Sequence, residues 1–474
     1  MRRSTPFHPG ALGRWALAVS LAAHVLACSQ PAAPAQPAQP AQPAQPASTP
    51  APDSAAFAPV HAYLQDLVDR KQIAGAVAMV VQRGEVVYQD AVGLRDVEAG
   101  APMTMDTIFR IASMTKPITS VAAMILVEEG KLSLDDPVHR HIPAFRDVRV
   151  AVEPDPAARR PSIRLVPVKR PMTIRDLLGH TSGLAYRGTA TPTVAKLYAD
   201  NEISDGLIET PGTMGEQVAR LARVPLSHQP GATWTYGLSV DVLGHVVEVV
   251  SGMTLEQFFY ERIFRPLGMK DTHFHLPAAD EPRLAAVYRP RADMTIERVP
   301  EGRQAQGAAT FSVTSPLDRD GAFFSGGGGL VSTAGDYARF LQMLQQGGTL
   351  GDVRLLAPET VALMTRDHLS GIAEHALRSS GQGFGLGFSV VTATPADPAR
   401  ARGLGPVGTY GWGGFYNTQF WIDPRNALIA VVLTQLRPND HLHLRTSFGA
   451  QVYDALAAKA GTTTPATPAA PARP

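Results

Sequence analysis

The sequence predicts an α+β fold: an antiparallel sheet assembled from the two ends of the folded body, flanked by helices, with a helical lobe inserted between them. Strand-like pairs stand near both ends of the body, amphipathic helices flank them outside, and the long middle carries mostly helical periodicity.

The first helix starts at about Ser54, with Phe57, Val60, Leu64, Leu67 and Val68 on one face. Two β-rich runs follow, Ala76 to Gln82 and Val86 to Ala91, joined as a hairpin at Arg83-Gly84-Glu85. Leu243, Val246, Val247 and Val250 mark a helix stopped by Gly252, after which Thr254 and Gln257 form a capping box for the next. Tyr337, Phe340, Leu341 and Leu344 mark another, ended by Gly347-Gly348. A second strand pair, Thr418 to Asp423 and Ala427 to Thr434, turns around Pro424-Arg425-Asn426. The last helix carries Leu444, Phe448, Val452 and Leu456 on one stripe.

The chain of 474 residues is long enough for a substantial core, with 45% hydrophobic residues against 18% charged. A net charge of +1 without long basic runs lacks the electrostatic footprint of a nucleic-acid binder. One cysteine excludes an internal disulfide and a cysteine-based zinc site, and no cofactor or metal is expected.

Residues 1–27 hold Arg2, Arg3 and Arg14, no acidic residue, and an apolar stretch from Trp15 to Ala27 of signal-peptide length. Val25-Leu26-Ala27-Cys28 resembles the lipobox of bacterial lipoproteins, which implies acylation of Cys28 and a membrane anchor facing the periplasmic side. An ordinary cleaved signal with an incidental cysteine is the alternative, and export follows from either. Residues 28–53, rich in Pro, Ala and Gln, predict an extended tether. Residues 54–460 read as one folded unit and 461–474 as a disordered Thr/Pro/Ala tail.

The chemistry starts from Ser113-Met114-Thr115-Lys116, opening a helix with Ile118, Val121, Ala122, Ile125 and Leu126 as its apolar stripe. The i, i+3 spacing puts the Ser113 hydroxyl and the Lys116 amine on one face. Pro117 is tolerated only in a first helical turn, which places Ser113 at the helix N-terminus. A serine there, beside an amine that can take its proton, is an activated nucleophile. No G-x-S-x-G, H-E-x-x-H or Walker loop competes with this reading. Gly403, Gly405 and Gly408 spell G-x-G-x-x-G, but are interrupted by Pro406 and followed by strands, so they predict a loop. The run Gly326 to Gly329 predicts a close backbone approach or a turn.

Five ordered segments carry a wider resemblance: DTIFRIASMTKPITSVAAMILVEEGKLSLDDPV (Asp106 to Val138), MTIRDLLGHTSGL (Met172 to Leu184), QPGATWTYGLSVDVLG (Gln229 to Gly244), GGGGLVSTAGDYARFL (Gly326 to Leu341) and YGWGGFYNTQFWIDP (Tyr410 to Pro424). Together they resemble the serine β-lactamase-like superfamily of class C β-lactamases, D-alanyl-D-alanine carboxypeptidases and family VIII carboxylesterases. The resemblance implies the β-lactamase/DD-peptidase-like fold, with Ser113 as nucleophile, Lys116 as its base and Tyr236 as a second proton-transfer group. It implies an oxyanion hole from the backbone N–H groups of Ser113 and Phe415, and a substrate wall at Trp412, Gly413, Gly414 and Leu238. His180 is expected to be a structural, hydrogen-bonded histidine.

Two positions depart from the family pattern. Leu238 stands where many relatives have the Asn of Tyr-x-Asn, and Trp412 stands where penicillin-recognising relatives have Lys or His. Both departures remove polar recognition of a β-lactam or peptide and keep the acyl-transfer groups. The expected activity is therefore a carboxylesterase on small apolar esters, working through an acyl-enzyme. The alternatives are a β-lactamase or D-Ala-D-Ala carboxypeptidase, and, from another class, a non-catalytic cell-wall peptide-binding sensor.

Overall fold

The described residues of the computed structural model are 55–153, 163–372 and 375–462, all in one compact unit. The signal segment, Cys28, the tether, Ser54 and the tail beyond residue 462 lie outside the described residues.

Helix α1 (Ala58–Asp69) leads into strands β1 (Gly75–Gln82) and β2 (Glu85–Asp96). Between them Arg83 and Gly84 have φ of 55° and 85°, the paired positive values that a tight hairpin turn requires. A short β3 (Ala101–Pro102) follows, and the sheet resumes late in the chain with β4 (Gln382–Phe384), β5 (Ser389–Val391), β6 (Tyr410–Gly414), β7 (Thr418–Asp423) and β8 (Leu428–Leu433). The order is β4-β5-β6-β7-β8-β1-β2-β3, with every pair antiparallel. The two ends of the body thus meet at the β1–β8 seam, as the sequence predicts.

Strands β1 and β8 are apolar throughout because both of their faces are covered. Val77, Met79 and Val81 join Ile429, Val431 and Leu433 in one core cluster, while Ala76, Ala78 and Val80 join Leu428, Ala430 and Val432 in another. On the first face lie α2 (Thr115–Glu128), α3 (Ser239–Ser251) and α4 (Ala334–Gln345). On the second, α1 packs beside α5 (Leu444–Thr462), burying the expected stripe Val60, Leu64, Leu67, Phe448 and Val452. Gly252 caps α3 in the left-handed conformation at φ 73°, and Thr254 and Gln257 form the capping box beyond it. Helix α2 differs from expectation: Thr115 through Leu126 are buried on every side, because the lobe wraps the face opposite the apolar stripe.

Candidate active site

Ser113 sits in the 3-10 turn Ala112–Met114 that runs directly into α2, so Pro117 falls in the first turn, where its missing N–H costs no hydrogen bond. Ala112 has φ 42°, a left-handed backbone that costs a non-glycine residue about 1–2 kcal/mol. Neighbouring elements hold the turn in place. The Tyr337 hydroxyl on α4 donates to the Met114 carbonyl at 2.8 Å, and the Leu330 N–H donates to Thr115 Oγ1 at 3.1 Å.

Lys116 is 1% exposed. Its Nζ donates to Ser113 Oγ at 3.1 Å, to Tyr186 Oη at 2.8 Å and to the Gly327 carbonyl at 2.6 Å, as many acceptors as an ammonium has protons. The Ser113 contact places the Lys116 amine within direct proton-exchange distance of the serine hydroxyl. Tyr236 stands differently. Lys116 Nζ lies 4.6 Å from the centre of its ring, and its hydroxyl accepts a hydrogen bond from Trp412 Nε1 at 3.2 Å.

Tyr186 was not visible as a site residue from the sequence. It lies two positions beyond the HTSGL segment, and its partner Lys116 is 70 residues away. Burial pushes its phenol well above the usual range, with Tyr236 and Asp241 adding to the rise, so it stays protonated.

Asp241, in the first turn of α3, is the second omission; a carboxylate inside the apolar run Val240 to Leu243 was the available signal. It is buried, and its Oδ1 accepts from Ser325 Oγ at 2.6 Å and from the Gly327 N–H at 3.1 Å. It therefore anchors, through its N–H, the residue whose carbonyl holds Lys116. A Cβ on Gly327 would lie 2.2 Å from Asp241 Oδ2, so the glycine run is a close backbone approach around this carboxylate.

Strand β6 forms the opposite wall. Strand β5 pairs only with Gly411 and Tyr410, which leaves Trp412, Gly413 and Gly414 paired to β7 alone, with a free edge on the other side. A Cβ on Gly414 would come 2.3 Å from the Ile111 carbonyl, so glycine is what lets β6 end against the segment bearing Ser113. The nearest obstacle at Gly413 is the side chain of Gln419, a softer constraint. Phe415 lies just past the β6–β7 ladder, which ends at the Gly414–Thr418 pair. Ser113, Tyr186, Tyr236, Trp412, Gly413, Gly414 and Phe415 all line one cavity of about 1270 Å³.

Two expectations need correction. Leu238 is 2% exposed and belongs to the main core cluster, because the turn entering α3 directs it inward; it forms no wall of the cavity. His180 is buried without a hydrogen bond at either ring nitrogen. Its ring packs 5.0 Å from Tyr236, 5.4 Å from Phe384 and 6.1 Å from Trp234. Burial, then the Lys116 charge, holds it well below the usual histidine range, so it is a neutral member of an aromatic cage behind Tyr236. The G-x-G-x-x-G run begins in the helix Pro398–Leu404 and continues into a loop at Gly405 and Gly408.

Asp205 lines the same cavity, and burial pushes its carboxyl from an ordinary 3.8 up to about 6. The folded state therefore holds this proton more tightly than the unfolded chain. The stability it contributes is complete below about pH 4 and is lost as pH rises through 6, at about 1.4 kcal/mol per pH unit, near 3 kcal/mol in all. Asp205→Asn, permanently neutral, is expected to raise Tm over wild type at pH 8 and to leave it unchanged at pH 4. An equal Tm difference at both pH values would refute this.

The Beta-lactamase family profile matches residues 60–453. Protein Rv1367c of Mycobacterium tuberculosis is 40% identical over 388 residues, covering 80% of this chain and 90% of the relative. Esterase EstB of Burkholderia gladioli is 36% identical over 392 residues, covering 81% and 91%. Among solved structures, EstCE1, described as a hydrolase with promiscuous acyltransferase activity, superposes with a TM-score of 0.70 at 30% identity, covering 85% of this chain and 99% of its own. With this fold, and with Ser113 and Tyr236 lining one cavity and the buried Lys116 bonded to Ser113, the chain belongs to the Beta-lactamase family and is an esterase-related serine hydrolase.

Proposed function

We propose that the protein is an exported carboxylesterase that cleaves small esters with apolar acyl groups through an acyl-enzyme on Ser113. The observation that carries this reading is the 3.1 Å contact between Lys116 Nζ and Ser113 Oγ inside an aromatic-walled cavity. Ser113 Oγ bonds to the ester carbonyl carbon as its proton passes to Lys116. The carbonyl oxygen becomes an oxyanion facing the N–H groups of Ser113 and Phe415, two fixed donors of the kind that contribute several kcal/mol in a water-poor site. The C–O bond to the alcohol then breaks, the leaving oxygen taking a proton through Tyr236. Water repeats the sequence on the acyl-enzyme and releases the acid.

Trp412 supports an ester over a β-lactam. A Lys or His at that position pairs with a carboxylate, and a charge-assisted hydrogen bond is worth about 1.5–3 kcal/mol. The Trp412 indole instead spends its N–H on Tyr236 and offers the substrate area. A panel of a short-chain aryl ester, a cephalosporin, a penicillin and a D-Ala-D-Ala peptide is expected to rank the ester well above the others in kcat/KM. Faster opening of a β-lactam would favour the β-lactamase reading, faster peptide cleavage the carboxypeptidase reading, and tight peptide binding without turnover a sensor. EstCE1's described acyltransferase activity favours a second outcome of the same acyl-enzyme, capture by an alcohol in place of water. Added alcohol would then appear as new ester in the panel.

The proposed location is the periplasmic side, with a lipid anchor on Cys28. Its support is the lipobox-like Val25 to Cys28 ahead of a tether without apolar anchors. Expressed with its own signal in a Gram-negative host, the protein is expected to incorporate fatty acid and fractionate with membranes, and Cys28→Ser to do neither. Soluble wild-type protein cleaved elsewhere would sink the anchor.

A further inference from the structure

We infer that Arg437 recognises a carboxylate on the substrate, so that the ester taken by this site carries an anionic group on the Phe415 side of the cleft. The inference rests on the esterase reading above and extends it to the substrate's charge.

Arg437 lines the same cavity as Ser113 and Trp412. Its guanidinium stacks on the Phe415 ring, 4.5 Å from the centroid, and Phe415 is the residue to which the proposed mechanism gives an oxyanion-hole N–H. The backbone under it is fixed: the Arg437 N–H donates to the Tyr288 carbonyl at 2.9 Å, and the Leu436 N–H to the Tyr416 carbonyl at 3.1 Å. Asn439 Nδ2 reaches back to the Phe415 carbonyl at 3.4 Å, so loop and ring are held as a unit.

Among the described residues the guanidinium has no hydrogen-bond or ion-pair partner. Its buried Nε makes no hydrogen bond, and no carboxylate among the described residues pairs with it. Two neighbouring arginines on the cavity are committed elsewhere. Arg445 donates to the Gly403 and Leu404 carbonyls and stacks 3.8 Å from the Trp421 centroid, while Arg402 pairs with Asp454. Burial pushes the Arg437 guanidinium below its usual value, and Asp440 offsets this only from a distance. A half-buried cation without a counter-ion is a standing cost, relieved when an anion arrives. The planar fork of a guanidinium matches a carboxylate through two parallel N–H bonds, and stacking on Phe415 presets its plane. This subsite is built on the Phe415 ring, whereas the Lys or His of the penicillin-recognising relatives stands at the position of Trp412, three residues earlier in the chain.

The test uses matched pairs that differ in charge. On the alcohol side the pair is 4-(butanoyloxy)benzoate and its primary carboxamide; on the acyl side it is a phenyl hemiester of glutaric acid and its primary carboxamide. Binding is measured by calorimetry on the full chain carrying Ser113→Ala, so that no turnover is needed. The carboxylate of at least one pair is expected to bind about tenfold tighter or more than its amide. Adding Arg437→Gln is expected to bring that ratio close to one, and Arg437→Lys to keep part of it, with Tm reporting that each variant is folded. Equal affinity within both pairs, or a preference that survives in folded Arg437→Gln, overturns the inference. Turnover of the neutral amides by the wild type reports separately on the esterase reading. Its absence, with the charge preference intact, would sink that reading and leave the anion subsite standing.

Discussion

Replacing Ser113 by alanine is expected to lower kcat/KM for a short-chain aryl ester by roughly 10³-fold or more, and Lys116→Ala to be comparably severe. The two residues act as one unit. Without Oγ there is no bond to form, and without Nζ the hydroxyl has no base within 3.1 Å. The double variant should therefore be little worse than either single one, where independent contributions would multiply. Ser113→Ala deletes one oxygen and should fold normally. Lys116→Ala leaves the Tyr186 hydroxyl and the Gly327 carbonyl without their donor and opens space in a buried helix, so its Tm is measured beside its rate. A phosphonate ester reagent should label wild-type Ser113 and fail on Ser113→Ala, with mass spectrometry locating the adduct. Near wild-type turnover by folded Ser113→Ala would end the nucleophile assignment.

Features written in local sequence were legible before the fold was known. The β1–β2 turn follows from Arg83-Gly84, the end of α3 from Gly252, and the terminal helices from apolar stripes that bury against one sheet face. The Ser113–Lys116 pair was legible for the same reason, since helix geometry alone brings residues three apart together. Strand β6 was not, because Tyr410 to Gly414 is mostly glycine and is extended only by its ladder with β7. Tyr186, Asp241 and Arg437 escaped because their roles depend on partners far off in the chain: Lys116, Gly327 and Phe415. Leu238 misled in the opposite direction. Lying next but one to Tyr236 suggests a shared wall, yet the turn entering α3 sends one side chain to the cavity and the other to the core. His180 shows the limit of a general rule: its polar ring is buried without hydrogen bonds because aromatic neighbours enclose it and burial keeps it uncharged.

Tyr236→Phe is expected to lower kcat by roughly 10²-fold with little change in KM or Tm, as loss of a proton-transfer group at the leaving oxygen predicts. The ring contacts with His180, Tyr186, Trp234 and Trp412 remain, so a purely structural Tyr236 predicts a nearly unchanged rate. The structure makes the comparison with Tyr186→Phe decisive. Tyr186 Oη is the phenol bonded to Lys116, at 2.8 Å, whereas Tyr236 Oη faces Trp412 Nε1 and the cavity. A group that positions Lys116 should affect every ester alike. A group that protonates the departing alcohol should matter more as the alcohol becomes a poorer leaving group. The loss in Tyr236→Phe should accordingly be larger for an alkyl ester than for a nitrophenyl ester, and the loss in Tyr186→Phe should be the same for both. A leaving-group dependence that appears in Tyr186→Phe and is absent from Tyr236→Phe would transfer the proton-transfer role to Tyr186 and leave Tyr236 as a wall of the cleft.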